Sequence, residues 1–338
     1  MTGKELHICI HGAGGLGSVI GGYLAKLGHR VTLISRQAHA DVINTTGLQV
    51  VGRLGDMLIK DNLQAVTMPN QVKGEIDYYI LLTKAKDAPA ALEDAAVLVD
   101  QTKCALTMQN GVGKEALLIK YFGEQKVIGG STIEGGTLLE PGKVNNHVTA
   151  PITAFFGELN GGSSERTETL ATAFTEANLK SESVEDINHV LWEKAVQVSG
   201  ASAWAASTLS AIPALDYADG ISVREGAEHY VMIAKELINI YKSKGYMPQD
   251  FYAPFSFLKT LDQSTFEEAV QVCLDLGEHM KSLPRGIRTS MHEDLINGKV
   301  TEADAIFLPL IEAAKENNVA IPTFHGAYRV IKTIDSNR

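Results

Sequence analysis

The residue types best suited to chemistry in this chain of 338 residues begin with a glycine turn, Gly12-Ala13-Gly14-Gly15-Leu16-Gly17. It is set between the apolar run His7-Ile8-Cys9-Ile10 and a helical pattern from Ser18 to Leu27. In such a strand-turn-helix unit the first glycine makes the tight turn, the second lets backbone approach a pyrophosphate, and the third lets the helix pack close on the strand. The N–H groups opening the helix then face the phosphates with the positive end of the helix dipole behind them. Where the next run, Val31-Thr32-Leu33-Ile34, ends, an acid would hold a free ribose hydroxyl, but this chain has Ser35-Arg36. A planar fork of donors matches phosphate oxygens, so the pair predicts NADP(H) as the cofactor. The plainer alternative is a glycine-rich turn in an ordinary α/β domain with a surface arginine at a strand end. The strand before the turn, Gly28 placed as a C-cap and the strand that follows favour the nucleotide.

A second set lies far downstream. Lys194 shares a helical face with the apolar Val190, Leu191 and Val198. A lysine on such a face must be partnered or must lose its proton readily, which makes it a candidate acid for carbonyl reduction. The alternative is a rim lysine whose stem lies on apolar surface, paired with Glu193 or Asp186, and the pattern alone leaves the two readings level. Lys84 and Asn110 each stand just past the carboxyl end of a predicted parallel strand, where an open α/β sheet presents ligand-binding groups, although Gln109-Asn110-Gly111 also reads as a plain polar turn. The stretch from Arg288 to Gly298 predicts a short helix capped by Thr289 or Ser290, and Thr301 predicts the N-cap of the next helix, with Glu302 and Asp304 in its first turn. Capping is therefore the local explanation of Ser290 and Glu302. The ten histidines show no metal spacing, so no metal is expected, although His292 lies near these residues. No GxSxG elbow supports hydrolase chemistry.

These groups need two kinds of scaffold. Strand candidates at 6–11, 31–35, 78–82, 104–108 and 127–130, with helical connections at 91–99 and 114–121, predict a parallel sheet. Residues 135–160 read as antiparallel edge strands with turns at Pro141-Gly142 and Gly161-Gly162. After about Glu185 long helical stretches take over, at 186–210, 219–244, 264–280, 287–297 and 302–317. The expected architecture is an α/β dinucleotide-binding domain over 1–184 and an all-α substrate and catalytic domain over 185–338, with substrate in a cleft between them. No run of about eighteen apolar residues predicts a membrane span, and the N-terminal layout is not that of a secretory signal, so the expected location is cytoplasmic. Cys9, Cys104 and Cys273 lack zinc or disulfide spacing. A formal net charge of −10 without a basic cluster argues against nucleic acid, and an anionic substrate would need positive charge supplied by its own pocket.

Taken together the pieces resemble the ketopantoate reductase (2-dehydropantoate 2-reductase) family over nearly the whole chain. The matching segments are the glycine turn, Ser35-Arg36-Gln37-Ala38-His39, Leu82-Thr83-Lys84-Ala85, Gln109-Asn110-Gly111, Leu191-Trp192-Glu193-Lys194, Ser290-Met291-His292-Glu293-Asp294-Leu295 with Gly298-Lys299, Thr301-Glu302-Ala303-Asp304-Ala305 and Ile321-Pro322-Thr323. The resemblance implies a Rossmann-type N-terminal domain, an all-α C-terminal domain, and NADPH-dependent reduction of ketopantoate to D-pantoate in pantothenate biosynthesis by a monomer or homodimer. It implies that Lys194 protonates the ketone oxygen, Ser290 holds the substrate carboxylate, and Asn110 and Lys84 line the nicotinamide and substrate region. Glu302 would orient substrate hydroxyl and cofactor, and Arg36 would meet the 2′-phosphate. One departure bears on the substrate. Where the family has asparagines one and two turns after the lysine, this chain has Val198 and Ser202, which leaves Ser202 as the polar substrate-binding group of the pair. A D-2-hydroxyacid dehydrogenase acting on a more apolar 2-oxo acid is the alternative, and a non-catalytic NADP-binding regulator is a third reading.

Overall fold

The computed structural model describes residues 5–147, 150–283 and 286–338. The chain divides into two compact units, Met1–Gln109 with Gly113–Leu191, and Asn110–Val112 with Trp192–Arg338. The first unit opens with β1 (His7–His11), α1 (Gly15–Leu27), β2 (Arg30–Ile34) and α2 (Gln37–Thr46). It continues through β3 (Leu48–Gly52), β4 (Met57–Ile59), β5 (Leu63–Val66), β6 (Ile76–Leu81), α3 (Ala88–Asp94), β7 (Thr102–Thr107) and α4 (Glu115–Phe122). The last strands, β8 (Gly129–Thr132), β9 (Gly136–Glu140), β10 (Lys143–Asn146), β11 (Ala154–Gly157) and β12 (Ser181–Ser183), bracket α5 (Glu165–Glu176).

Five strands make a parallel sheet in the order β5-β2-β1-β6-β7. Strand order reverses at β1, so the loops after β1 and β6 flank the switch point where ligands bind in sheets of this kind. The sheet is buried on both faces, which is why its strands read as near-continuous apolar runs. One face packs Val19, Ile20 and Leu24 of α1 and Leu170 and Phe174 of α5. The other packs Leu92 of α3 and Leu118 and Phe122 of α4. The two histidines of β1 are accommodated by hydrogen bonds, His7 to Thr32 and the Glu75 carbonyl and His11 to the Tyr79 hydroxyl.

Two strand expectations change. Residues 127–130 do not extend the parallel sheet as a strand. Val127 makes a single parallel bridge to Ala105, and β8 pairs antiparallel with β11 in a separate sheet, β12-β11-β8. The edge strands β9 and β10 are antiparallel as expected, but β10 also runs parallel to β3 in a four-stranded sheet, β4-β3-β10-β9, two of whose strands were not anticipated. The short runs at 48–52 and 57–59 carry too little alternation to be told from a loop until β10 pairs with one of them.

A long helix, α6 (Ile187–Thr208), leads into the second unit, which holds α7 (Tyr217–Ile221), α8 (Arg224–Ser243), α9 (Leu258–Gln263), α10 (Phe266–Lys281), α11 (Ser290–Ile296), α12 (Ala303–Glu316) and α13 (Pro322–Asp335). Its core gathers Trp204, Tyr230, Leu237, Tyr241, Phe307 and Phe324. The single helix predicted over 219–244 is two. The chain folds back so that Gly226 packs on Gly220, and the Trp204 indole donates to the Gly226 carbonyl at 2.8 Å. A side chain on Gly220 would meet Trp204 Cη2 at 2.9 Å, so the approach requires glycine.

Candidate active site

Two glycines of the turn, Gly12 and Gly17, have the turn and helix-packing roles that the spacing implies. Gly12 has φ +103°, and a Cβ there would run into the Thr83 amide and lie 2.8 Å from the Leu82 carbonyl oxygen. A Cβ on Gly17 would lie 2.6 Å from the Gly12 oxygen and 3.2 Å from the Ile10 side chain, so this glycine lets α1 sit down on β1. At Gly14 a Cβ would meet nothing within 4 Å. Space beside the opening of a helix with no acidic residue in its first turn is a cradle suited to a phosphate. Gly12 and Ala13 donate to the Ile34 carbonyl at 3.2 and 3.1 Å, which ties the turn to the end of β2. Gly15 faces another way: a Cβ there would collide with the Gly136 carbonyl and lie 2.7 Å from the Thr137 amide, so β9 rests directly on the turn, with Leu16 packed beside it.

Ser35 follows β2 with its amide bonded to the Val66 carbonyl, and Arg36 is the exposed N-cap residue of α2. Lys84, also exposed, opens the short turn after β6, next to the Thr83 that Gly12 touches. Glycine turn, Ser35-Arg36 and Lys84 are thus gathered at the carboxyl ends of β1, β2 and β6. Gln109, read from sequence as part of a plain turn, also pins this edge. Its amide nitrogen donates to the Thr83 carbonyl at 2.6 Å, and its oxygen accepts from Thr107 at 3.0 Å. The Gln109–Thr83 link joins residues 26 apart in sequence, so nothing in the local pattern announces it.

In the second unit, Gly111 has φ +96° and a Cβ there would lie 3.1 Å from the Ala305 carbonyl, which lays the Asn110–Val112 segment on the first turn of α12 beside Glu302. Glu302 itself is the N-cap residue of α12, yet its carboxylate makes no capping hydrogen bond. Thr301, the expected cap, does meet the start of α12, its hydroxyl accepting from the Ala303 amide at 3.2 Å while donating to Asp335 at 2.6 Å, and its own amide donates to the same carboxylate at 3.1 Å. At α11 the choice left open by sequence falls on Thr289, whose hydroxyl accepts from the His292 amide, while Ser290 is exposed. Capping therefore does not explain Ser290 or Glu302.

Lys194 is 7% exposed beside the fully buried Val190, so it is not a rim lysine. Glu193 accepts from the backbone amides of Gln249 and Phe251 at 2.7 and 2.8 Å and from the Tyr241 hydroxyl at 3.2 Å, and burial raises its pKa against those bonds. Asp186 accepts from the His189 amide. Val198 is half-buried and Ser202 is 2% exposed. His292 is fully buried with neither ring nitrogen hydrogen-bonded among the described residues, and burial lowers its pKa. No three His, Cys, Asp or Glu side chains among the described residues are grouped to hold a metal, and no helix there is long and apolar enough to cross a membrane.

A glycine turn with these three separate steric roles, at the switch point of a parallel sheet, fits a dinucleotide. The family model described as Ketopantoate reductase PanE/ApbA matches residues 8–161, and its C-terminal companion matches residues 186–335. The chain belongs to the ketopantoate reductase family. A 2-dehydropantoate 2-reductase from Pyrococcus horikoshii is 30% identical over 335 residues, covering 98% of each chain. Among solved structures, a 2-dehydropantoate 2-reductase from Methylococcus capsulatus is 25% identical with a TM-score of 0.76, covering 98% of this chain and 97% of that one. A D-mandelate dehydrogenase solved with NADH and anilino(oxo)acetate shares the fold at 22% identity and a TM-score of 0.77, covering 98% of this chain and 99% of that one. As a member of this family the protein is an oxidoreductase.

Proposed function

We propose that the protein reduces a small branched 2-oxo acid to its D-2-hydroxy acid with NADPH, ketopantoate being the leading substrate and D-pantoate the product. The observation that carries this reading is Lys194, a lysine 7% exposed on an apolar helical face. A charged donor at the ketone oxygen stabilises the charge that develops there and passes on a proton as the alkoxide forms. Ser290, released from capping by Thr289, donates to the substrate carboxylate. Asn110 and Lys84 line the nicotinamide and substrate region, Glu302 orients substrate hydroxyl and cofactor, and Ser202 is a further polar contact to substrate. The dinucleotide is held by Gly12 to Gly17, with Ser35 and Arg36 at the 2′-phosphate. Bound NADPH supplies the hydride. In this reading residues 1–184 serve the cofactor and residues 185–338 the substrate.

Val198 favours a second reading. Valine cannot hydrogen-bond a substrate hydroxyl, and a site that lacks such a bond discriminates weakly for hydroxylated acids. A more apolar branched 2-oxo acid is then the substrate of the same reaction. Purified protein with NADPH and a panel of 2-oxo acids, followed by loss of dinucleotide absorbance, separates these readings. Ketopantoate turned over with the highest kcat/KM supports the first, and preference for an unhydroxylated branched acid supports the second. Tight NADPH binding without turnover of any acid would overturn both in favour of a regulator.

A further inference from the structure

His39 has no assigned part in the reaction, yet it joins the two halves of the dinucleotide-binding region. It lies in the first turn of α2, the helix that begins after Arg36, and it is 4% exposed. The Gly142 amide donates to its Nδ1 at 2.9 Å. A nitrogen that accepts a backbone N–H carries no proton, so the neutral ring holds its proton on Nε2 and donates it to the Ser18 hydroxyl at 2.9 Å. Ser18, fully buried on α1, then donates to the carbonyl of Ala13 in the glycine turn at 3.3 Å. Each donor and acceptor in this relay has one compatible orientation. Burial lowers the pKa of His39, which keeps the ring in the neutral form the relay requires. The far anchor is rigid, because Gly142 has φ +78° in the turn between β9 and β10 and a Cβ there would collide with Val42 of α2.

We propose that His39 is a positioning residue for the dinucleotide: by bridging the Gly142 amide and the Ser18 hydroxyl it holds the helix that starts at Arg36 in register with the glycine turn, and so sets the preference for a 2′-phosphorylated dinucleotide. The turn meets the pyrophosphate, which NADPH and NADH share, and Arg36 meets the phosphate that only NADPH carries. Loosening the relay therefore moves Arg36 relative to the turn and weakens NADPH selectively. The inference rests on the assignment of Arg36 to the 2′-phosphate.

The test is to measure NADPH and NADH dissociation constants by fluorescence titration for the wild type, Arg36→Ala, Ser18→Ala, His39→Asn, His39→Gln and the double variant Ser18→Ala/Arg36→Ala. His39→Asn keeps an acceptor for Gly142 but cannot reach Ser18, and His39→Gln keeps the Ser18 contact but leaves the Gly142 amide unpaired. Each relay variant is expected to weaken NADPH about tenfold and NADH less than about threefold, the loss of one hydrogen-bond link. Ser18→Ala should add nothing further to the NADPH loss once Arg36 is gone, because both act on the same contact. Equal losses for the two dinucleotides, or additive losses in the double variant, would overturn the relay. If the His39 variants do not fold, Ser18→Ala, which deletes one hydroxyl, decides alone. A wild type that binds NADH as tightly as NADPH overturns the Arg36 assignment itself, and the relay's role in preference with it.

Discussion

Replacing the glycines of the turn one at a time with alanine should divide folding from cofactor binding. In Gly15→Ala the new methyl would overlap the Gly136 carbonyl and lie 2.5 Å from its carbon, where ordinary contact is at least 3.4 Å. Strand β9 must retreat by about 1 Å, and overpacking of this kind costs about 1–3 kcal/mol. The dinucleotide-free protein should accordingly lose several degrees in Tm. Gly14→Ala is the opposite case. The methyl meets no protein atom within 4 Å, so the dinucleotide-free variant escapes the overpacking that Gly15→Ala suffers, and any loss of stability comes only from its backbone at φ −80° and ψ −149°. The methyl would, however, stand where the pyrophosphate approaches. A loss of affinity of about a hundredfold is expected, so that NADPH at 100 times the wild-type Kd, which stabilises the wild type by about 2.7 kcal/mol, stabilises the variant by only about 0.4 kcal/mol. Thermal unfolding with and without NADPH, paired with isothermal titration, measures both quantities. Gly14→Ala with unchanged NADPH affinity would refute the placement of the pyrophosphate at this turn, and a Gly15→Ala protein as stable as the wild type would refute the steric argument at β9.

Two further outcomes follow from the charged groups. Lys194→Ala should lower kcat by several orders of magnitude with a smaller change in NADPH Kd, since proton transfer and charge stabilisation at the ketone are both removed; a fall of less than tenfold in steady-state assays would return this lysine to a packing role. Glu134 is 7% exposed, accepts from Asn146 at 2.6 Å, and has its other oxygen unpaired among the described residues. Burial pushes its pKa up to about 7. Because the folded-state value lies above the unfolded one, the native form binds the extra proton, and stability contributed by that proton is present below about pH 4.5 and lost as pH rises through about 7. The loss amounts to about 3 kcal/mol. Glu134→Gln, which mimics the protonated acid, should be more stable than the wild type at pH 8 and indistinguishable near pH 4, and chemical denaturation across that range checks the crossover.

Much of the fold was legible because period and punctuation are local. The runs at 6–11, 31–35, 78–82 and 104–108 became β1, β2, β6 and β7 to within two residues at each boundary, and the long helical stretches became α6, α8, α10 and α12. The strands β5 and β12 and the helices α2, α5, α9 and α13 lie outside the elements read from sequence; the strands and α9 are short patterns that only neighbouring elements complete. The amphipathic α13 starts at Pro322, inside a segment that stands out in the sequence only as the family motif Ile321-Pro322-Thr323.

The amino-acid sequence by itself determined the glycine turn, the Ser35-Arg36 pair after the second strand, and a lysine on an apolar helical face, since each is a matter of residue type at a fixed spacing. Which side chains are left over for chemistry was decided by tertiary structure. Thr301, which accepts from the Ala303 amide at the start of α12, is itself held by Asp335, 34 residues away, and Glu302 makes no capping hydrogen bond through its side chain. Gly15 is required where β9 rests on the turn. His39 gains its role from Gly142, 103 residues away, and from Ser18 on another helix. A hydrogen bond or a steric overlap depends on distances of a few tenths of an ångström between groups remote in sequence, and local periodicity carries no record of them.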